Sequence, residues 1–237
     1  MKTMKTIKLL TLTVLSTFVL TSCSSNENLP SEASEAKLLK SYMVKRDISG
    51  AYSIDYDLEK NTTSEKVINH KTKTNEFHFY KSDFGISKRV SDELFMDTKK
   101  LSISFFEANA FMKSNITILD DVASNVKTTA KKTKMLSEYS VSNMGSGTFT
   151  LDFKVKDKVS VDFVYNKVLD VYEIHLKKGK SNGTEFSRNF EKLKNEVLRI
   201  DFVNHIKTYN YKGQGSKSVV VSSRKPRVII VDDFGAL

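Results

Sequence analysis

The chain has 237 residues, 39% of them apolar and 28% charged, with a formal net charge of +10. That composition belongs to a folded globular chain and excludes a disordered tail, and 9 Gly with 2 Pro exclude collagen-like or low-complexity segments. A single Cys excludes a disulfide scaffold and any Cys-rich zinc site within one chain.

The first 22 residues stand apart from the rest. Lys2, Lys5 and Lys8 form a basic segment, and an apolar run extends from Leu9 to Leu20. The run is too short for a stable transmembrane span and reads as a secretory signal peptide. It closes on Leu20-Thr21-Ser22-Cys23, which resembles the lipobox of bacterial lipoproteins. The resemblance implies diacylglyceryl transfer to the Cys23 thiol, cleavage before it, and acylation of the new N-terminus. Ser24, in place of an Asp at that position, then favours the outer membrane of a Gram-negative envelope over the inner one, with the face left open. Residues 24–37 (SSNENLPSEASEAK) are polar and read as a flexible tether reaching about 45 Å at roughly 3.3 Å per residue.

Period-two alternation dominates the remainder of the chain. Tyr52, Ile54, Tyr56 and Leu58 alternate with Ser53, Asp55 and Asp57, a half-buried strand. The turn Asp47-Ile48-Ser49-Gly50 joins it to a partner over 42–46. A second hairpin is expected around 71–75, with arms 67–70 and 77–80, and a third pairing 94–96 with 101–106. Residues 116–119 form a short apolar strand. The clearest run is 147–177. Phe149, Leu151, Phe153 and Val155, then Val159, Val161, Phe163 and Tyr165, then Tyr172, Ile174 and Leu176 share apolar phases. Three strands with short turns predict an antiparallel meander. Phe190, Leu193 and Val197 predict a short helix over 187–197, feeding a strand over 198–202. Val219–Val221 and Val228–Val231 are late strands, with Pro226 suiting an edge or a turn. The fold class expected is therefore mainly β, an antiparallel sandwich or barrel with one or two short helices. Residues 38–237 read as a single domain, with two sub-sheets dividing near residue 138 as the alternative. No repeat of fixed period stands out.

Chemistry is sparse. No G-x-S-x-G elbow or H-E-x-x-H occurs, and Gly213 to Ser218 departs from the spacing of a phosphate loop. Asp55, Asp57 and Glu59 begin like a Ca²⁺ loop, but Lys60 and Lys66 stand where Gly and Glu belong. Asp120-Asp121 and Asp232-Asp233 are read as acids at strand exits. His70, His78, His175 and His205 are far apart, with His78 and His175 on polar phases. No metal and no cofactor is expected. Residues 122–136 and 212–227 are basic without acids. Outside the cytoplasm their targets are acidic polysaccharide, lipid phosphates or an acidic protein rather than nucleic acid. Tyr209, Tyr211, Lys212 and Lys217 form a candidate ligand-binding patch, two rings beside a basic loop. Cys23 is the lipidation site.

These observations favour a membrane-anchored envelope protein acting as a non-catalytic binding or structural module for a glycan, lipid or protein. The alternatives are a hydrolase using carboxylates such as Asp120 or Asp232, and a carrier of a small apolar ligand inside a barrel.

Overall fold

The computed structural model describes residues 37–83, 89–107, 110–120, 135–145, 147–191, 197–210 and 218–232. Alternating side chains make every described element a strand. The first seven are β1 (Leu39–Arg46), β2 (Tyr52–Leu58), β3 (Thr62–Asn69), β4 (Thr74–Lys81), β5 (Arg89–Glu93), β6 (Lys100–Glu107) and β7 (Ala110–Leu119). The next seven are β8 (Leu136–Asn143), β9 (Thr148–Val155), β10 (Val159–Asn166), β11 (Val171–Lys178), β12 (Glu185–Glu191), β13 (Val197–Asn210) and β14 (Ser218–Asp232). They form a six-stranded sheet, β12-β9-β8-β1-β2-β5, and an eight-stranded sheet, β10-β11-β13-β14-β7-β6-β4-β3. The two sheets stack as a sandwich around one apolar core.

The strand order is a tandem repeat. Numbering β8 to β14 as copies of β1 to β7 turns each sheet into its own mirror list: β5-β2-β1 answers β12-β9-β8, and β3-β4-β6-β7 answers β10-β11-β13-β14. Over β1–β4 and β6 the residues match at an offset of 97, as in Leu39 to Leu136, Tyr42 to Tyr139, Glu76 to Glu173, His78 to His175 and Phe105 to Phe202. The positive-φ residues match too: Gly50 with Gly147, Asn61 with Lys158, and Lys73 with Asp170. A pseudo-twofold axis pierces both sheets. It passes between Val44 and Val141, the centre of the β1–β8 pairing, and between Thr117 and Ile229, the centre of the β7–β14 pairing. Each half therefore contributes strands to both sheets, in place of the separate sub-sheets considered from the sequence.

The space between the sheets is filled by rings. Tyr42 meets Phe105 with centroids 4.9 Å apart, and their counterparts Tyr139 and Phe202 meet at 5.4 Å. Phe153 packs edge-on to Phe202 at 5.5 Å. One buried ion pair lies at the margin of this core. Arg46 Nε donates to Asp120 Oδ2 at 2.7 Å, with side chains 2% and 0% exposed. Tyr52 Oη donates to the same carboxylate oxygen at 2.8 Å and lies 3.0 Å from Tyr139 Oη. Burial, with the Asp120 charge beside it, pushes the phenols of Tyr52 and Tyr139 well above their usual range against the opposing charge of Arg46.

Several expectations are corrected. Residues 185–191 form β12 rather than the start of a helix, because Phe186, Arg188 and Phe190 share one face and the strand satisfies its backbone along β9. Residues 192–196 lie outside the described residues. No helix occurs among those described. The 147–177 meander is split. β9 belongs to the six-stranded sheet and β10–β11 to the other, so the turn at 156–158 changes layer. Alternation marks the buried face of a strand but not the sheet it joins. Residues 94–96 form no strand, and β6 pairs instead with β7 and, in parallel, with β4. The two late strands are one, β14, with Pro226 at a register shift where a lost ladder donor is tolerated.

Replacing Asp120 by Asn leaves the Arg46 charge buried and uncompensated. The expected loss is about 3–5 kcal/mol of unfolding free energy, measured by urea denaturation; a loss under about 1 kcal/mol, the range of exposed pairs, would show that the pair is solvated.

Candidate functional site

The outer face of the eight-stranded sheet gathers polar side chains from four strands of the second half. β11 presents Glu173, His175 and Lys177 at alternate positions, facing away from the core residues Ile174 and Leu176. β11 runs parallel to β13, which sets Lys177 beside His205 and Glu173 beside Asp201. β10 brings Asp162 opposite His175, and β14 brings Arg224 opposite Val203.

Glu173 is the hub, with its side chain 5% exposed. Its Oε1 accepts from Asn166 Nδ2 at 3.0 Å and from Arg224 NH1. Its Oε2 lies 2.8 Å from His175 Nε2, and His175 Nδ1 lies 2.8 Å from His205 Nε2. Burial alone would raise the Glu173 carboxyl, but the hydrogen bonds from Arg224, Asn166 and His175 outweigh it and hold the group below the usual carboxylate range. An ionised Glu173 can only accept, so His175 Nε2–H donates to it. In a neutral His175 the Nδ1 lone pair then accepts from His205 Nε2–H. Burial, with the positive charge at His175 and Lys177, depresses the His205 imidazole below its ordinary value. Lys177 Nζ donates to Asp162 at 2.7 Å and, as the leading cause, lowers that carboxyl. Beside the hub, Arg227 forks onto Asp201 through two bonds of 2.8 and 2.9 Å. Asp201 is completely buried.

The first half carries a sparser version of the same constellation. Asn69 Nδ2 donates to Glu76 Oε1 at 2.8 Å, and His78 Nε2 lies 3.3 Å from Glu76 Oε2. The spacing Asn-x6-Glu-x-His occurs twice, at 69–78 and 166–175. The surroundings differ. His78 stacks on Phe106 at 4.8 Å and on Tyr80 at 6.5 Å, where His175 has His205 and Lys177.

Of the expected site residues, Tyr209 lies on β13 opposite Val219. Tyr211, Lys212 and Lys217 lie outside the described residues, as do Cys23, Asp121 and Asp233. Asp120 stands at the exit of β7 as expected, but it is sealed under Arg46 and Tyr52, out of reach of a substrate. Asp232 ends β14 opposite Ser114. Asp55, the first residue of the Ca²⁺-like run, is engaged by Lys45, Arg89 and Ser91. Among the described residues no group of three or more His, Cys, Asp and Glu is placed to hold a metal ion. Sequence reasoning missed Glu173, His205 and Arg224 as one cluster with His175. The doubled Asn-x6-Glu-x-His spacing was the available signal. Comparison with protein-family models, with curated proteins and with solved structures finds no match.

The cluster makes stability depend on pH with a definite sign. His205 has a lower value in the folded chain than the roughly 6.5 of an unfolded one, and Glu173 a lower value than about 4.3. Both contributions are complete above the unfolded values and are lost as pH falls through the folded ones. Thermal midpoints measured across the acidic range should fall from about pH 6.5 downward. His205→Gln should remove the upper part of that fall and leave the lower, carboxylate part; an unchanged profile would contradict the assignment.

Proposed function

We propose that this chain is a lipid-anchored envelope protein whose β-sandwich is a non-catalytic binding module, and that the outer face around Glu173 and His175 takes an acidic polysaccharide. The lipobox-like Leu20-Thr21-Ser22-Cys23 and the polar tether support the anchor. The ordering of charge on the face supports the ligand. Two of its acids are innermost, Glu173 at 5% and Asp201 at 0% exposure, with Arg224, Lys177, His175 and Arg227 over and around them, while the third, Asp162, is exposed and paired with Lys177. Away from the Lys177–Asp162 pair, a ligand approaching over Glu173 and Asp201 meets guanidinium and imidazole groups before it meets those carboxylates. Guanidinium forks suit carboxylate or sulfate groups, and an open sheet face suits an extended polymer. Arg224 and Arg227 belong to the basic run over 212–227.

A second reading, a hydrolase, draws on the hydrogen-bonded series Glu173–His175–His205, in which a carboxylate orients an imidazole as a general base. Ser222 is the cross-strand partner of His205.

Two measurements test the module. Cys23→Ala should move the chain from the membrane fraction to the soluble one; retention in the membrane would remove the anchor. The purified protein should be held on immobilised polygalacturonate and not on neutral dextran, and released by salt. Arg224→Gln should weaken that retention about tenfold, the loss of one charge-assisted bond, while Lys71→Gln in the other half leaves it unchanged. Equal loss from both would reduce the effect to net charge, and turnover of an acyl ester abolished by His175→Gln would favour the hydrolase.

A further inference from the structure

The hairpin turn between β10 and β11 exposes apolar side chains. Val168 is 92% exposed, and Leu169, Val164 and Tyr165 are exposed beside it, with Lys167. The repeat supplies a comparison within the molecule. The matching turn between β3 and β4 has the same backbone. Asn69 and Asn166 each accept from the amides two and three residues on, all at 3.1 Å. Lys73 and Asp170 both close the turn with positive φ, 59° and 51°. Yet the first copy is built from His70, Lys71 and Thr72. The turn therefore has no conformational need of Val168 or Leu169, and no core receives them.

The position of this turn says what they meet. Tyr165 and Tyr172 flank it with rings 5.2 Å apart, and Tyr172 packs on Phe190 at 4.9 Å. Phe190 is in register with Phe149, and Phe149 with Asn143, at the end of β8. The turn after β8 carries Met144, 67% exposed, and its Gly145 sits against the carbonyl of Lys40 at the start of β1. Val168, Leu169 and Met144 thus belong to the end of the sandwich at which β1, the described strand nearest in sequence to Cys23, begins. The residue matching Met144 in the first half is Asp47, and the opposite end keeps one exposed apolar side chain in that turn, Ile48.

We propose that this end of the sandwich is a lipid-contact surface, with Val168, Leu169 and Met144 entering the headgroup–acyl boundary of the bilayer that holds the Cys23 anchor. Apolar side chains settle about 5–10 Å into that boundary, within the reach of a protruding hairpin turn. Lys167 stands at the level of the phosphates, and Tyr165 is the amphipathic residue type that such interfaces hold. The contact would fix the orientation of the domain, turning a loose tether into a defined pose. The proposal rests on the acyl anchor for its occupant, and the test separates the two.

The full-length chain carrying Val168→Cys, or Lys71→Cys at the matching position of the other copy, is produced in a host that processes signal peptides. Acylation of Cys23 is read by mass, and it leaves the introduced thiol as the single labelling site. An environment-sensitive fluorophore is attached, and the protein is incorporated into vesicles of phosphatidylethanolamine and phosphatidylglycerol with brominated acyl chains. The label at 168 should be blue-shifted and quenched by bromine, and the label at 71 should be neither. No quenching at 168, or equal quenching at both positions, would overturn the surface. A Cys23 mass without acyl groups would overturn the anchor alone. The unacylated chain, with Cys23→Ala to keep the label at 168 alone, is then mixed with the same vesicles, where quenching at 168 sustains the surface and its absence overturns it.

Discussion

The fold depends on its seam. Each half holds three strands of one sheet and four of the other, and each half alone would leave β1 and β7, or β8 and β14, as open edges in the middle of a layer. These strands carry core residues on one face, Val44, Ile116 and Ile118 in the first half and Val141, Val228 and Ile230 in the second. Open edges of that kind are templates for aggregation. Pairing β1 with β8 and β7 with β14 closes both at once and joins the two ring clusters, Tyr42–Phe105 and Tyr139–Phe202, into a single core. The halves are therefore one folding unit, and every site on the surface is positioned by the same twofold frame.

Duplication also separates what the fold needs from what it does not. Where the halves agree, the reason is local: Asn69 and Asn166 cap the same turn, and Gly50 and Gly147 hold the same positive φ. Where they differ, the backbone has been satisfied by two solutions. Arg46 and Tyr52 form a buried pair with Asp120, while Asn143 and Phe149 stand at the matching places. His78 rests on Phe106, while His175 bonds to His205 and shares Glu173 with Arg224. The second half has cations where the first has rings on its outer face, and apolar residues where the first has polar ones at its hairpin turn. Both differences lie on exposed surface, where packing imposes least.

Much of the β architecture was legible in the chain. Alternation located the strands over 42–46, 52–58, 149–155, 159–165 and 172–176, because a sheet with one wet face writes a period of two into its sequence. Layer assignment was not legible. Phe153 and Phe163 alternate alike and face each other at 6.0 Å from opposite sheets. The helix over 187–197 was misread because Phe190, Leu193 and Val197 fit a helical stripe, while Phe186 and Arg188, which complete the strand face, lie at or before its first turn. The site was half legible. His175 was placed on a polar phase, but its neighbour His205 arrives through a parallel pairing, and parallel strands leave no hairpin signature. The repeat itself was hidden by its length of 97 residues and by the unequal β6–β7 and β13–β14 connections.

The chain has 4 histidines, so their ring resonances form a complete and small set of reporters. Tracking them by NMR while polygalacturonate is added tests the division of labour between the halves directly. The rings of His175 and His205 should shift together as the ligand meets the cationic face, with His78 and His70 unmoved. Shifts of His78 equal to those of His175, or none at either, would contradict a binding face on the second half.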